Sequence, residues 1–225
     1  MSFDNLKIER NRRARRIALR LDVKERVMRL VLPMRASMKA GLEFAEQHEA
    51  WIAQKLAELP EERFVTDGSE FIFLGEGLTL RVHYDTALKS TRFIKENGEL
   101  KVFTNQENIS LRLTRHLKRE AEKYFMVRLQ EKAARIGKKI AHLSIRDTKS
   151  RWGSAGPDGK VSLNWRLAFA PFEAFDYVVA HEAAHLLHPD HSRAFWRTCM
   201  ELSENYRDGH RWMKQHGEKL MAYRF

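Results

Sequence analysis

Two histidines four residues apart enclose a glutamate in His181-Glu182-Ala183-Ala184-His185, and His191 follows six residues later. On a helix, positions i and i+4 stand one above the other on one face, so the two imidazoles can turn their ring nitrogens toward one ion. Glu182 then lies beside the remaining coordination position without being a ligand itself. Three protein ligands and one open position distinguish a catalytic zinc site from a closed structural one. His191 lies beyond Pro189 and Asp190, where the chain can reverse, and can supply the third ligand. The chemistry expected is hydrolysis. Zinc lowers the pKa of water toward neutrality and polarises a carbonyl or phosphoryl oxygen. A carboxylate at the position of Glu182 can take the proton and pass it to the leaving group.

Other residues compete for these roles. His188 could share the helical face of His185, but a third contiguous ligand on one helix does not easily complete a tetrahedron. Glu201 and Glu204 are the alternatives for a site with a carboxylate ligand. Asp190 is expected to cap the next helix rather than to orient an imidazole. A donor is also needed where charge develops in the transition state. Arg151, Asn164, Tyr206 and His210 are the candidates for touching substrate. Their plain alternatives are a surface cation for Arg151 and a turn or strand-edge hydrogen bond for Asn164.

The pentad must sit on a helix for this geometry to exist. The run Asp176–Leu187 is apolar, contains good helix formers and no Gly or Pro, and is bracketed by Pro171 and Pro189. A reading in which these residues are merely core would leave the buried Glu182 without a partner. Before it, Leu113, Leu117, Ala121, Tyr124, Phe125 and Leu129 recur at helical spacing, predicting a long amphipathic helix from Ser110 to about Ile136 with Gly137 as its C-cap. Strands are expected at His142–Arg146 and Lys160–Leu167, with the turn Thr148–Ser154 between them. After His191, a helix is expected from Ala194 to about Tyr206.

The first hundred residues read mostly as sheet. Strands Arg16–Leu21 and Val27–Leu32 flank a charged turn, and one helix capped by Ser37 runs through Trp51 to Pro60. Further strands at Glu70–Leu74, Leu78–Tyr84, Thr91–Lys95 and Glu99–Phe103 are joined by turns at Gly75/Gly77 and Asn97-Gly98. The fold class expected is α+β. A β-rich module with one helix, residues 1–105, precedes the chemistry-bearing segment 106–225, unless the two form one continuous domain.

The chain has 225 residues, 43% of them hydrophobic, enough for a real core. Its one cysteine, Cys199, rules out an intrachain disulfide framework and multi-cysteine zinc modules, and suits a reducing compartment. The amino terminus carries no apolar segment of signal-peptide length, and no stretch reaches membrane-spanning length, so a cytoplasmic protein with no membrane partner is expected. Lys and Arg outnumber Asp and Glu by 41 to 30, a formal charge of +11. Arg10, Arg12, Arg13, Arg15, Arg16 and Arg20 concentrate part of this excess. No stacking aromatics lie among them, so weak attraction to polyanions or nucleic acid is expected rather than direct recognition.

Thr148-Lys-Ser-Arg-Trp-Gly-Ser154, Val161-Ser-Leu-Asn-Trp-Arg-Leu167, the pentad and His191-Ser-Arg-Ala-Phe-Trp196 together resemble the YgjP-like metallopeptidase family, related to the WLM and SprT-type zinc peptidases. The Arg-rich strand, the Trp51-Ile52 helix and the stretch Asp67-Gly68 to Leu74-Gly75 extend the resemblance over nearly the whole chain. It implies that His181, His185 and His191 bind zinc and that Glu182 is the catalytic base. It also implies a minimal zincin core, with a strand edge beside the site to align an extended substrate. Lys160–Leu167 would be that edge here. One departure is Ala155, where the family usually has Cys after Trp-Gly-Ser; a changed pocket wall is expected. The spacing to His191 also matches the metzincins, but His188 stands where that pattern has glycine. The expected function is zinc-dependent hydrolysis of a protein or peptide, with manganese or another divalent metal as an alternative to zinc. Two other readings stay open: a metal-dependent phosphohydrolase of the nucleotide-pyrophosphatase kind, suited by Lys149 and Arg151, and a zinc-stabilised adaptor associated with nucleic acid.

Overall fold

The computed structural model describes residues 5–149 and 151–225; Met1 to Asp4 of the amino-terminal segment and Ser150 of the Thr148–Ser154 motif lie outside them. By contact the chain divides into two compact units, Met1–Glu61 and Glu62–Phe225.

The first unit holds strands β1 (Leu6–Asn11), β2 (Ala18–Asp22) and β3 (Val27–Pro33) and helices α1 (Met38–Gln47) and α2 (Glu49–Ala57). The strands form one sheet in the order β1-β3-β2, with β1 parallel and β2 antiparallel to β3. The sequence reading found the β2–β3 hairpin and missed β1 as a separate strand. It also expected one helix where there are two. His48 N bonds to Ala45 O rather than to Phe44 O, whose carbonyl is taken by the His48 ring at 2.8 Å, so the i→i−4 ladder breaks there. Leu30, Leu32 and Ala45 form the small core. Arg10 is committed to structure, because its Nη1 donates to the carbonyls of Pro33, Met34 and Ala36. Arg12, Arg13, Arg15, Arg16 and Arg20 are exposed.

The second unit contains β4 (Arg63–Phe64), β5 (Glu70–Phe73), β6 (Glu76–Tyr84), β7 (Arg92–Glu96), β8 (Glu99–Thr104), α3 (Ser110–Arg135), β9 (His142–Arg146), β10 (Gly153–Ala155), β11 (Lys160–Asn164), α4 (Phe172–Ala184), α5 (Arg193–Leu202), α6 (Tyr206–His216) and β12 (Tyr223–Arg224). The class is therefore α+β, as expected, with six α-helices and several small sheets among the described residues. The β5-β6-β8-β7 sheet buries Phe71, Phe73, Leu80 and Val102 in the same core as α3 and α4. That shared core is why the compact units part at Glu61 and not near Asn105, where composition changes. Asn97 and Gly98 both take positive φ, at 52° and 74°, and turn β7 into β8. The β5–β6 turn is made by Leu74 and Gly75, while Gly77 is paired within β6.

Helix α3 buries Leu113, Leu117, Ala121, Phe125, Leu129 and Ala133 along one stripe, all of them fully inaccessible. Burying one such Leu or Phe contributes about 1.5–3 kcal/mol. The helix ends in the bond pair Lys138 N to Ala133 O and Gly137 N to Ala134 O, a Schellman closure. Helix α4 is buried on nearly all sides: every residue from Ala174 to Ala180 is covered. Its Asp176 pairs with Lys132 of α3, and the same ammonium donates to Leu202 O at the end of α5 at 2.7 Å. Three helices are thus tied together around the pentad.

One expectation about the sheet is overturned. β11 is the central strand of the order β10-β11-β9, paired antiparallel to β10 and parallel to β9. Its backbone groups face partners on both sides, so Lys160–Leu167 cannot be the free edge; the edges are β9 and β10. The strand also stops at Asn164, whose side chain accepts from Arg166 N and caps a 3-10 turn at Trp165–Phe169.

Candidate metal centre

Helix α4 ends at Ala184, with His185 as its C-cap still in helical geometry, so His181 and His185 keep their shared face. The chain then turns through Pro189 and Asp190. Asp190 accepts from Ser192 N at 3.2 Å, and Ser192 caps α5 by accepting from Phe195 N. This turn carries His191 back to the pentad. One ring nitrogen each of His181, His185 and His191 lies within 4.8 Å of the others. Glu201 and Glu204 are exposed on and after α5 and do not join the cluster.

The donor set fits a metal ion. Two nitrogens each bound at ~2.0–2.1 Å in a tetrahedron lie roughly 3.3 Å apart. His181 Nε2 and His191 Nε2 are 3.3 Å apart. His185 Nδ1 contacts the His188 carbonyl at 3.0 Å, so it must carry the proton and leave Nε2 as the acceptor toward the cluster. The His188 ring itself turns away to Thr198 Oγ1 at 3.2 Å. Phe195, fully buried, forms the floor: its ring centroid is 4.9, 4.5 and 4.7 Å from those of His181, His185 and His191. Burial, with the neighbouring imidazoles of His185, His191 and His210, holds His181 neutral by lowering its pKa to about 4. A neutral imidazole is the ligand form.

Glu182 is only 4% exposed, and its Oε2 is buried without a hydrogen-bond partner. Burial pushes its carboxyl up to about 8. A cation beside it acts in the opposite sense, because positive charge favours the carboxylate. Strand β10 comes so close that a Cβ on Gly153 would stand 2.4 Å from Glu182 Oε1. The glycine of Trp-Gly-Ser is therefore the space in which the Glu182 side chain lies.

These groups open into a cleft of about 520 Å³. Arg151, Gly153, Tyr177, Glu182 and the three histidines line it, as does Ala155, the departure from the family pattern. Of the four expected substrate contacts, Arg151 alone borders this cleft. Asn164 is buried, with Nδ2 donating to Thr148 O at 2.9 Å. Tyr206 and His210 do not line the cleft; they pack on Tyr177, with ring centroids 5.5 and 5.3 Å from its own. Sequence reasoning missed Tyr177, although it stands one turn before His181 on the same helical face. Its phenol is held protonated, burial being the main cause of a raised pKa.

No curated protein matches the chain. Among solved structures, the crystal structure of the metallopeptidase zymogen of Pyrococcus abyssi abylysin aligns over 41% of this chain and 95% of that one, at 22% identity and a TM-score of 0.37. No helix is long and apolar enough to cross a membrane among the described residues. The family described as YgjP-like, metallopeptidase domain, matches residues 15–216, from the second β-strand's approach to the last turn of α6, and the chain belongs to that family of metal-dependent hydrolases.

Proposed function

We propose that this protein is a zinc-dependent peptidase in which His181, His185 and His191 hold the ion and Glu182 is the general base. The observation that carries the reading is the pairing of three converging imidazoles with a buried carboxylate oxygen that has no partner of its own. When bound, zinc supplies a Lewis acid that polarises the scissile carbonyl and acidifies water. Glu182 takes the proton of the attacking water at its carboxylate and returns it to the leaving nitrogen. Orphaned oxygen and enclosure both suit that task, since a base surrounded by protein loses no proton to bulk solvent. Tyr177, as a protonated phenol on the cleft wall, is the donor for developing negative charge.

Strand β10 is the edge along which an extended substrate pairs, because its outer backbone groups are not used by β11 and its residues, unlike those of β9, line the cleft. Residues 106–225 carry all of these groups and are the catalytic segment of the proposal; 1–105 contribute no residue to it. The buried, unpaired Cys199 suits a cytoplasmic setting. The exposed arginines between Arg12 and Arg20 give at most weak attraction to polyanions.

The deciding experiment combines zinc stoichiometry by mass spectrometry with peptide cleavage for Glu182→Gln. Zinc is expected to remain at about one per chain while turnover falls by roughly 10²–10⁴. Retained turnover would remove Glu182 as the base.

A further inference from the structure

A second cavity, of about 560 Å³, adjoins the metal cleft and shares with it the wall Arg151–Ser154. Its charged lining is cationic throughout: Arg146 at the end of β9, Lys149 and Arg151, with no Asp or Glu among the described lining residues. Arg146 and Arg151 are exposed. Asp147, the acid nearest in sequence, accepts from Arg166 Nε at 2.9 Å. Asn164, which also borders the cavity, spends its amide on Thr148 and Arg166.

A guanidinium is a planar fork that offers a carboxylate two parallel donors, and two guanidiniums around one cavity favour negative charge. A peptide paired along β10 advances about 3.3 Å per residue and points successive side chains to opposite sides. A residue close to the scissile bond can therefore reach past the shared wall. We infer that the Arg146–Arg151 cavity is a specificity subsite for an acidic side chain, Asp or Glu, of the peptide substrate. This inference rests on the peptidase reading for its purpose, but not for its test.

The test uses three fluorescein-labelled, amidated octapeptides, identical except for Glu, Gln or Lys on either side of the centre. Each is titrated by fluorescence anisotropy into full-length, zinc-loaded Glu182→Gln protein, which leaves the probe intact. The Glu peptide is expected to bind about fivefold tighter than the Gln peptide, the upper range for exposed ion pairs. Arg146→Glu/Arg151→Glu should abolish that preference, and the milder Arg146→Gln/Arg151→Gln should do the same if the charge reversal disturbs folding. Arg12→Glu/Arg13→Glu changes net charge by the same amount in the other compact unit and should preserve the preference. Indistinguishable behaviour of the three peptides, or equal loss of preference in both Arg→Glu variants, overturns the subsite. Cleavage of the same peptides by zinc-loaded wild-type protein reports separately on the peptidase reading. Failure to cleave with the Glu preference intact counts against that reading alone.

Discussion

Gly153→Ala tests the site through a single methyl group. The added Cβ would lie 2.4 Å from Oε1 and 2.6 Å from Cδ and Cγ of Glu182, where ordinary contact begins near 3.4 Å. The carboxylate must therefore retreat by about 1 Å, into surroundings already packed closely enough to leave it 4% exposed. Gly153 does not occupy the left-handed region, so backbone strain plays no part. Overpacking of this kind costs ~1–3 kcal/mol. For a chain of this size each kcal/mol lowers the melting temperature by roughly 2–4 °C. A base displaced by about 1 Å loses on the order of 10²-fold in kcat/KM. None of the three imidazoles is touched, so zinc content should be unchanged. The assay is threefold: zinc by mass spectrometry, peptide hydrolysis, and thermal unfolding. The same substitution in a Glu182→Ala background has no carboxylate to displace and should be neutral, or gain up to ~1 kcal/mol by restricting the unfolded chain. Wild-type turnover and melting in Gly153→Ala, or an equal melting loss in both backgrounds, would refute the steric argument.

Replacing a ligand should differ from replacing its neighbours. His191→Ala is expected to weaken zinc binding by more than the ~10–100-fold typical of losing an orienting partner, while Glu201→Gln leaves it unchanged; competition with a chromophoric chelator measures both. His188→Ala should keep zinc affinity, because it is the main-chain carbonyl of residue 188 that meets His185 Nδ1, and should cost only the ring's bond to Thr198, about 1 kcal/mol in unfolding. A fall in affinity as large as that of His191→Ala would instead make His188 a ligand. Asp176→Ala leaves the Lys132 ammonium buried with Leu202 O as its remaining acceptor, an expected loss of ~3–5 kcal/mol. Calorimetry should show the double substitution Lys132→Met/Asp176→Leu recovering most of that loss; an equally unstable double variant would count against the ion pair as the cause.

Much of the centre was legible because it depends on neighbours in sequence. The i, i+4 spacing of His181 and His185 needs only a helix, and the Asp176–Leu187 run favours one by composition alone, although the helix itself closes at Ala184. Pro189 and Asp190 announced the reversal that returns His191. The long stripe of α3 and the Asn97-Gly98 turn were readable for the same reason. Tyr177 was equally accessible, one turn from His181, and was overlooked because its aromatic ring reads first as core.

Other features depend on which strands and loops meet. Which of β9, β10 and β11 is central depends on pairing between segments separated by turns, and three residues of β10 carry too little pattern to announce a strand. The break between α1 and α2 arises from a histidine ring that takes a carbonyl from its own helix, a choice that helix propensity does not record. The helix-forming run, the ligand spacing and the presence of a base are local, and residue types alone determined them. Tertiary contact decided the rest: β10 as the cleft wall, the glycine-sized space that holds Glu182, the commitment of Asn164 to its loop, and the convergence of Arg146 with Arg151. Those depend on distances between residues far apart in the chain, which only the packing of the shared core sets.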